Sequence, residues 1–492
     1  MRLLAFLATL GISAWADGPF KPTIPTIWAA ADIDNFEVPV SNPRYSPKHV
    51  RPEYYYKIPV RKIYKSYPVY APGKAPVNYL EKLRRLDPEV IFDLSKLKTE
   101  KDWIHAGEIV FHAPTLYDGT VTGPEDVLDP QWYAGTGVTV LKDGVMPYAR
   151  YVIREKGKVE LGNLSCAFCH TRVLPDGTVI KGGQGNFPFD KSIPFWERRK
   201  LSAEQIRQGL LLVFSVPWLP DKQQHLERMT AEEIHDAYTS LPPGVLGRNR
   251  SSVFHPPAIP DLFGVRQRKY LDKSGLVVNR GIADIMRYAA TAEGIDFLSD
   301  YGGFVPFGED FTKLPPPETF SRFSEEQLYA VALYLYSLTP PRNPNRFDNM
   351  ARQGEKVFQQ QGCPLCHPAP LYTINKLIPV EGFRVPAEHR KKYDVLEVRI
   401  GTDPALTLET RRGTGYYKVP SLKNVWARGP LEHNGSVATL EDWFDPRRLK
   451  GDYVPTGFVG YGVRTRAVKG HEFGLQLPDA AKKSLIAFLR TL

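Results

Sequence analysis

All four cysteines of this 492-residue chain fall in one short motif written twice: Cys166-Ala167-Phe168-Cys169-His170 and Cys363-Pro364-Leu365-Cys366-His367. No other feature restricts the fold as strongly. Two cysteines spaced by two residues and followed at once by histidine form the attachment pattern of c-type heme. The gap brings both sulfurs to one porphyrin edge from a single helical turn, where each forms a thioether to a vinyl group. The adjacent histidine then falls beneath the iron as its proximal ligand. One such motif could be a redox dithiol or half of a zinc site. Two that consume every cysteine point to two covalent hemes, held by Cys166, Cys169, Cys363 and Cys366, with the irons on His170 and His367. A pair of disulfides, or one zinc site drawing on both pairs, leaves the two histidines unexplained.

The N-terminus bears on compartment. Arg2 precedes an apolar run over residues 3–15, which ends in Ala14-Trp15-Ala16. That run is too short to span a bilayer and reads as a secretory signal, residues 1–16, cleaved ahead of Asp17. No cysteine follows the cut, so no lipid anchor is expected there. The chain is expected to be exported, to the periplasm or beyond, with no transmembrane segment in its mature form. Its 64 basic and 54 acidic residues give a formal charge of +10, and the basic residues are dispersed. Without a basic stripe, nucleic acid is not an expected partner. A basic surface suits an acidic redox partner instead.

The chain also repeats itself. Ala106-Gly107-Glu108-Ile109-Val110-Phe111 is matched by Gln353-Gly354-Glu355-Lys356-Val357-Phe358. Ile259-Pro260-Asp261-Leu262-Phe263-Gly264-Val265 is matched by Val419-Pro420-Ser421-Leu422-Lys423-Asn424-Val425. That second match continues without a gap through Arg268 and Arg428, Leu271 and Leu431, Asp272 and Glu432, to Gly275 and Gly435. Residues 328–338 parallel residues 482–492, both with helical apolar spacing. Only four residues separate Phe358 from Cys363, whereas 54 separate Phe111 from Cys166, so the first copy carries an insertion over residues 112–165.

The expected fold is therefore mainly α: two cytochrome c-like heme domains with long loops and an N-terminal extension. The extension covers residues 17–100, rich in Tyr, Pro and Lys and wrapped on the domains. The first heme domain covers residues 101–342 and the second residues 343–492, joined by a breaker-rich linker around residues 340–345. With 44 prolines, the chain should be loop-rich.

A heme that only carries electrons has a sixth ligand, Met or His, whereas one that does chemistry keeps that position open. No methionine follows Cys363. His471, in a loop ahead of the closing helix, is the favoured sixth ligand of the second iron. His433 is the alternative, and His389 a third candidate. The matching place in the first copy, around Pro317, has neither His nor Met, so the first iron is expected to be open. His105, His112, His225, His235, His255, Met229 and Met286 could fill it only from elsewhere in the chain. Glu293, Asp296 and Arg248 are candidate distal acid, base or charge-stabilising groups. Trp196 and Trp218 are candidate electron relays.

These features define an exported diheme c-type cytochrome oxidoreductase. The leading reading is peroxidase-like: a small oxidant, peroxide, is reduced at the N-terminal heme with electrons relayed by the C-terminal heme from a small redox protein. The alternatives are a heme dioxygenase cleaving an apolar substrate and a non-catalytic electron-transfer cytochrome.

Residues 418–425 (Lys-Val-Pro-Ser-Leu-Lys-Asn-Val), His433-Asn434-Gly435-Ser436, Thr439-Leu440-Glu441 and the closing helix resemble the bacterial diheme cytochrome c peroxidase superfamily. The resemblance covers about residues 101–492. The His-Asn-Gly-Ser wording and the long N-terminal part are closest to its rubber-oxygenase branch. The resemblance implies two facing cytochrome c-like domains, an N-terminal catalytic heme and a C-terminal electron-transfer heme. Peroxidases of the group have Met near the position of His471, and this chain has His, as that branch is expected to have. Peroxidases also often carry a histidine on the loop after the first motif. Residues 171–190 here contain none, which implies an always-open heme in place of a gated one.

Overall fold

The computed structural model describes residues 20–117, 119, 121–310 and 312–492. The expected signal sequence lies outside these residues. Among the described residues, no helix is long and apolar enough to cross a membrane.

Two helix pairs frame the molecule, one from each copy of the repeat. Glu100–His112 packs on Glu325–Ser337, and Asn349–Gln360 packs on Asp479–Arg490. Each opening helix starts on a side-chain cap. Thr99 accepts from Asp102 N–H within a capping box, and Asp348 accepts from Ala351 N–H. Both crossings turn on a glycine. A Cβ at Gly107 would lie 2.0 Å from the Ala330 carbonyl oxygen, and one at Gly354 would lie 1.8 Å from that of Ser484. These are the matched glycines of the repeat, and they meet matched residues of the closing helices. In each pair an aromatic stands one turn on: Tyr334 Cβ and Phe488 Cβ are each 2.8 Å from the virtual Cβ.

The middle block repeats in backbone conformation as well as in sequence. Gly264 and Asn424 are left-handed and start short 3-10 turns, Val265–Gln267 and Val425–Ala427. Asp272 and Glu432 share positive φ, 70° and 78°, and so do Gly275 and Gly435, 64° and 75°. Arg268 Nη1 donates to the Asp261 carbonyl at 2.7 Å, and Arg428 Nη1 donates to the Ser421 carbonyl at 2.8 Å. Each arginine thus pins its own loop in the same way.

Residues 112–165, expected as an insertion, are built mainly around strands. β1 (Ser66–Tyr70), β2 (Leu116–Tyr117), β3 (Val145–Glu155) and β4 (Lys158–Asn163) form an antiparallel sheet in the order β1-β3-β4-β2. Tyr151 sits opposite Tyr67 on one side and Leu161 on the other. Helix makes up 37% of the described residues and strand 11%, in several small sheets, so the mainly α expectation is met only in part and leaves out this sheet. The run Tyr148-Ala149-Arg150-Tyr151-Val152-Ile153 carries the aromatic and β-branched residues that favour a strand.

The extension contributes the edge strand β1 and is anchored by burial. Trp28 is fully buried, stacks on Tyr55 at 4.3 Å and donates from Nε1 to the Val50 carbonyl at 2.8 Å. Val38 N–H donates to Leu276 O and Ser41 N–H to Gly413 O, so the extension touches both copies. Glu37 receives a bidentate pair from the buried Arg250, at 2.8 and 2.7 Å.

The glycine crossings give a direct test. Gly107→Ala and Gly354→Ala should each destabilise the protein by about 1–3 kcal/mol or more, because the helices must separate. Gly209→Ala, in a helix where a Cβ meets nothing within 4 Å, should instead stabilise by about 0.5–1 kcal/mol. Chemical denaturation of the three variants measures both signs.

Candidate functional site

The first motif is a single helical turn, Cys166–His170, capped by Ser165, whose side chain accepts from Phe168 N–H. Cys166 packs against the apolar core that the first helix pair helps to build. Phe168 is fully buried against Phe187 and Phe189, with ring centres 4.5 and 5.4 Å away. The following loop folds back tightly: Gly182 N–H donates to His170 O at 2.8 Å, and a Cβ at Gly185 would lie 2.0 Å from Cys169 O. The second motif opens with the turn Cys363–Leu365, and Cys363 packs against the apolar core that includes the second helix pair. In both copies the first cysteine therefore sits at the edge of the helix-pair core.

The thiols have the chemistry of an apolar attachment site. None of the four forms a disulfide. Burial pushes the Cys169 and Cys363 thiols up to about 11, and burial with the nearby Glu293 carboxylate raises Cys166 further. Redox dithiols and thiolate metal sites need the opposite shift. Among the described residues, no group of three or more His, Cys, Asp or Glu gathers as a protein-only metal site would.

The motif histidines are held neutral. Burial, with Arg248 adding to it, lowers His170 to about 4, against smaller opposing effects of the Gly183 and Pro260 carbonyls. Burial lowers His367 too, opposed by the carbonyls of Tyr372 and Pro420. Pro260 and Pro420 are matched residues of the repeat. His367 Nδ1 lies 3.0 Å from the Tyr372 carbonyl oxygen. A carbonyl only accepts, so Nδ1 carries the proton and Nε2 keeps its lone pair for a metal. His170 Nδ1 is buried and, among the described residues, makes no hydrogen bond of full geometry.

His471 faces His367 across a cavity of about 640 Å³, whose wall includes Cys363, Cys366, His367, His471 and His433. The volume lies within the roughly 300–1,000 Å³ common for cofactor pockets. The His367 and His471 ring centres are 6.4 Å apart. Two imidazoles bonded to one metal through opposed nitrogens, at about 2 Å per bond, hold their ring centres roughly 6 Å apart. Burial, reinforced by His367, lowers His471 to about 4, so it too is a neutral donor. This pocket fits a heme with histidine on both faces. His433 lines the same cavity but is engaged by Glu432, with its ring 4.6 Å from that of Tyr417. His389 is buried elsewhere, bonded to Tyr416 Oη at 3.0 Å.

The charged groups acting on His170 are Arg248 and Asp261. Glu293 Oε1 lies 3.5 Å from Cys166 Sγ, and Arg61 of the extension approaches Glu293 at 3.8 Å. Burial raises the Glu293 pKa, with Arg61 opposing. Asp296 is placed apart, acting on Arg250, Arg411 and His49. The other histidines have separate engagements. His235 is paired with Glu197 at 3.2 Å, His255 with Glu409 at 3.1 Å, and His105 with Glu108 at 3.8 Å. His225 packs on Phe254, and His112 on Phe111. Met229 and Met286 are buried core residues. Trp218 stacks on Tyr45 at 4.5 Å, and Trp196 covers Gly119.

Sequence reasoning missed the centre between the two motifs. Asp261, buried, is shared by Arg268 at 2.7 Å and Arg428 at 2.9 Å. The repeat pairs the two arginines, but nothing local shows that they converge on one carboxylate. Arg61 gave no signal at all, since it lies 232 positions before Glu293.

No protein-family model matches the chain, and no curated protein matches it in sequence. Among solved structures it is similar to hydrazine synthase of Kuenenia stuttgartiensis at 15% identity and a TM-score of 0.27, over 59% of this chain and 88% of that one. It is also similar to a MauG-like protein associated with microbial copper homeostasis, at 19% identity and a TM-score of 0.22. That match spans 34% of this chain and 56% of the other. Likenesses this distant carry no functional weight, and the chemistry rests on this chain's own residues.

Burial alone would raise the Asp261 pKa, but Arg428 and Arg268 override it and hold it down at about 2. A depressed carboxylate stabilises the fold fully above its unfolded value, about 3.9, and that contribution is lost as pH falls through about 2. Asp261→Asn should cost about 3–5 kcal/mol at neutral pH. The gap from wild type should narrow between about pH 4 and pH 2. Thermal unfolding across that range checks both statements.

Proposed function

We propose that the protein is an exported diheme c-type cytochrome that reduces peroxide at the heme of the first motif, using electrons relayed by the heme of the second. The observation that carries this reading is an asymmetry. His367 has a second neutral imidazole opposite it at 6.4 Å, whereas the groups acting on His170 are the cation Arg248 and the anion Asp261.

When bound, the hemes would supply redox-active iron at each motif and one electron each. Peroxide takes up two electrons and two protons, breaks its O–O bond and leaves as two waters. His170 holds the first iron from one side. Burial raises the pKa of the Glu293 carboxyl beside the motif, the direction that suits a proton donor. Arg248 supplies positive charge where negative charge develops on oxygen. His367 and His471 would hold the second iron, leaving it to carry electrons. Leu365 and Phe473, 81% and 54% exposed, stand at the wall of the second cavity. They form an apolar landing place for a small redox donor.

Absorption and EPR spectra, with and without carbon monoxide, test the reading. Expected are one high-spin and one low-spin ferric signal, with carbon monoxide binding to one reduced heme. His471→Ala should abolish the low-spin signal and open the second heme to carbon monoxide. Two low-spin hemes that ignore carbon monoxide would leave an electron carrier and overturn the proposal. In steady-state assays with a reduced donor, Glu293→Gln should slow peroxide turnover by about 10²-fold or more.

A further inference from the structure

The cavity facing His367 and His471 is mostly apolar, but one side of its wall is strongly charged. Arg268, Lys273, Lys418 and Arg428 line it, with Asp261 and Glu432 as the only carboxylates of that wall. The two arginines are committed to Asp261, at 2.7 and 2.9 Å. Glu432 is engaged by His433. The two lysines are left over. Lys418 Nζ reaches the backbone carbonyl of Tyr270 at 3.3 Å. Lys273 Nζ makes no hydrogen bond or ion pair among the described residues. Among the described residues, four cations against two carboxylates leave an excess of two positive charges on this wall.

A charged group is not left unpaired in a buried wall without cost. The porphyrin that the motif cysteines would hold carries two propionate carboxylates, which matches the excess in sign and number. We propose that Lys273 and Lys418 form a carboxylate-binding subsite that takes the propionates of the heme attached to Cys363 and Cys366. This inference rests on the heme reading above. Lys273 and Lys418 come from different copies of the repeat and stand side by side, with Lys418 N–H donating to the Lys273 carbonyl at 3.1 Å. Burial, with the neighbouring arginines adding to it, brings Lys418 down to about 7 and Lys273 to about 8. Two anionic carboxylates beside them would reverse that shift and keep both ammonium groups charged.

The subsite has an electrochemical signature. A positive charge near an iron favours its reduced form, so removing one makes reduction harder. The test is a redox titration of the purified full-length holoprotein, wild type against Lys273→Met, Lys418→Met, the double variant and Lys418→Arg. The midpoint potential of the low-spin heme should fall in each Met variant and furthest in the double variant. Lys418→Arg should restore it toward wild type, which a purely structural role would not produce. Unchanged potentials in Met variants that carry two hemes per chain would overturn the subsite while leaving the heme reading intact. A wild-type chain without covalent heme, by denatured mass, would overturn both.

Discussion

One buried carboxylate holds the two halves of the functional region together. Asp261 belongs to the first copy of the repeat, yet it binds the matched arginines of both, Arg268 and Arg428. Each arginine also pins its own loop through Nη1, to the Asp261 and Ser421 carbonyls respectively. Those loops carry Pro260 and Pro420, whose carbonyls act on His170 and His367. A single ion-paired centre therefore sets the position of both motif histidines. The second copy has Ser421 where the first has Asp261. Two carboxylates there would have balanced both arginines. One carboxylate leaves positive charge on the wall between the motifs.

The apolar packing does the complementary work. Each helix pair crosses at a glycine, which lets the backbones approach until only a hydrogen atom fits between them. The core formed beside each crossing seats the first cysteine of a motif, and burial keeps the thiols protonated and the imidazoles neutral. Protonated thiols and neutral imidazoles suit a large apolar ligand with a metal at its centre. They do not suit a dithiol switch or a thiolate-bound ion. The same burial acts on Glu293 in the useful direction for an acid, raising its pKa next to Cys166.

Much of this was legible in the residues because it is local or repeated. CxxCH is a five-residue motif whose chemistry follows from one helical turn. The glycine in each opening helix, the left-handed positions at Gly264 and Asn424, and the closing helices all announce themselves through the duplication. The sheet was less legible. The β3 run has strand-forming residues, but its edge partner β1 comes from the extension, and pairing over that distance leaves no mark in either segment. His471 could be favoured over His433 and His389 only as a matter of loop position and ligand chemistry. In the structure the His471 ring lies 6.4 Å from that of His367, while His433 is engaged by Glu432 and His389 by Tyr416.

By itself the sequence determined which reactive groups the chain carries and how they are spaced: two cysteine pairs, each followed by a histidine, in two copies of one supersecondary plan. Those properties reside in residue type and short spacing, which a chain carries before it folds. Tertiary structure alone decided which charges meet. Arg61 reaches Glu293, Arg428 reaches Asp261, and Lys273 and Lys418 share one wall because burial brings distant segments into a medium where an unpaired charge is costly. Coulombic partners are chosen by distance in space, and spacing along the chain does not encode it.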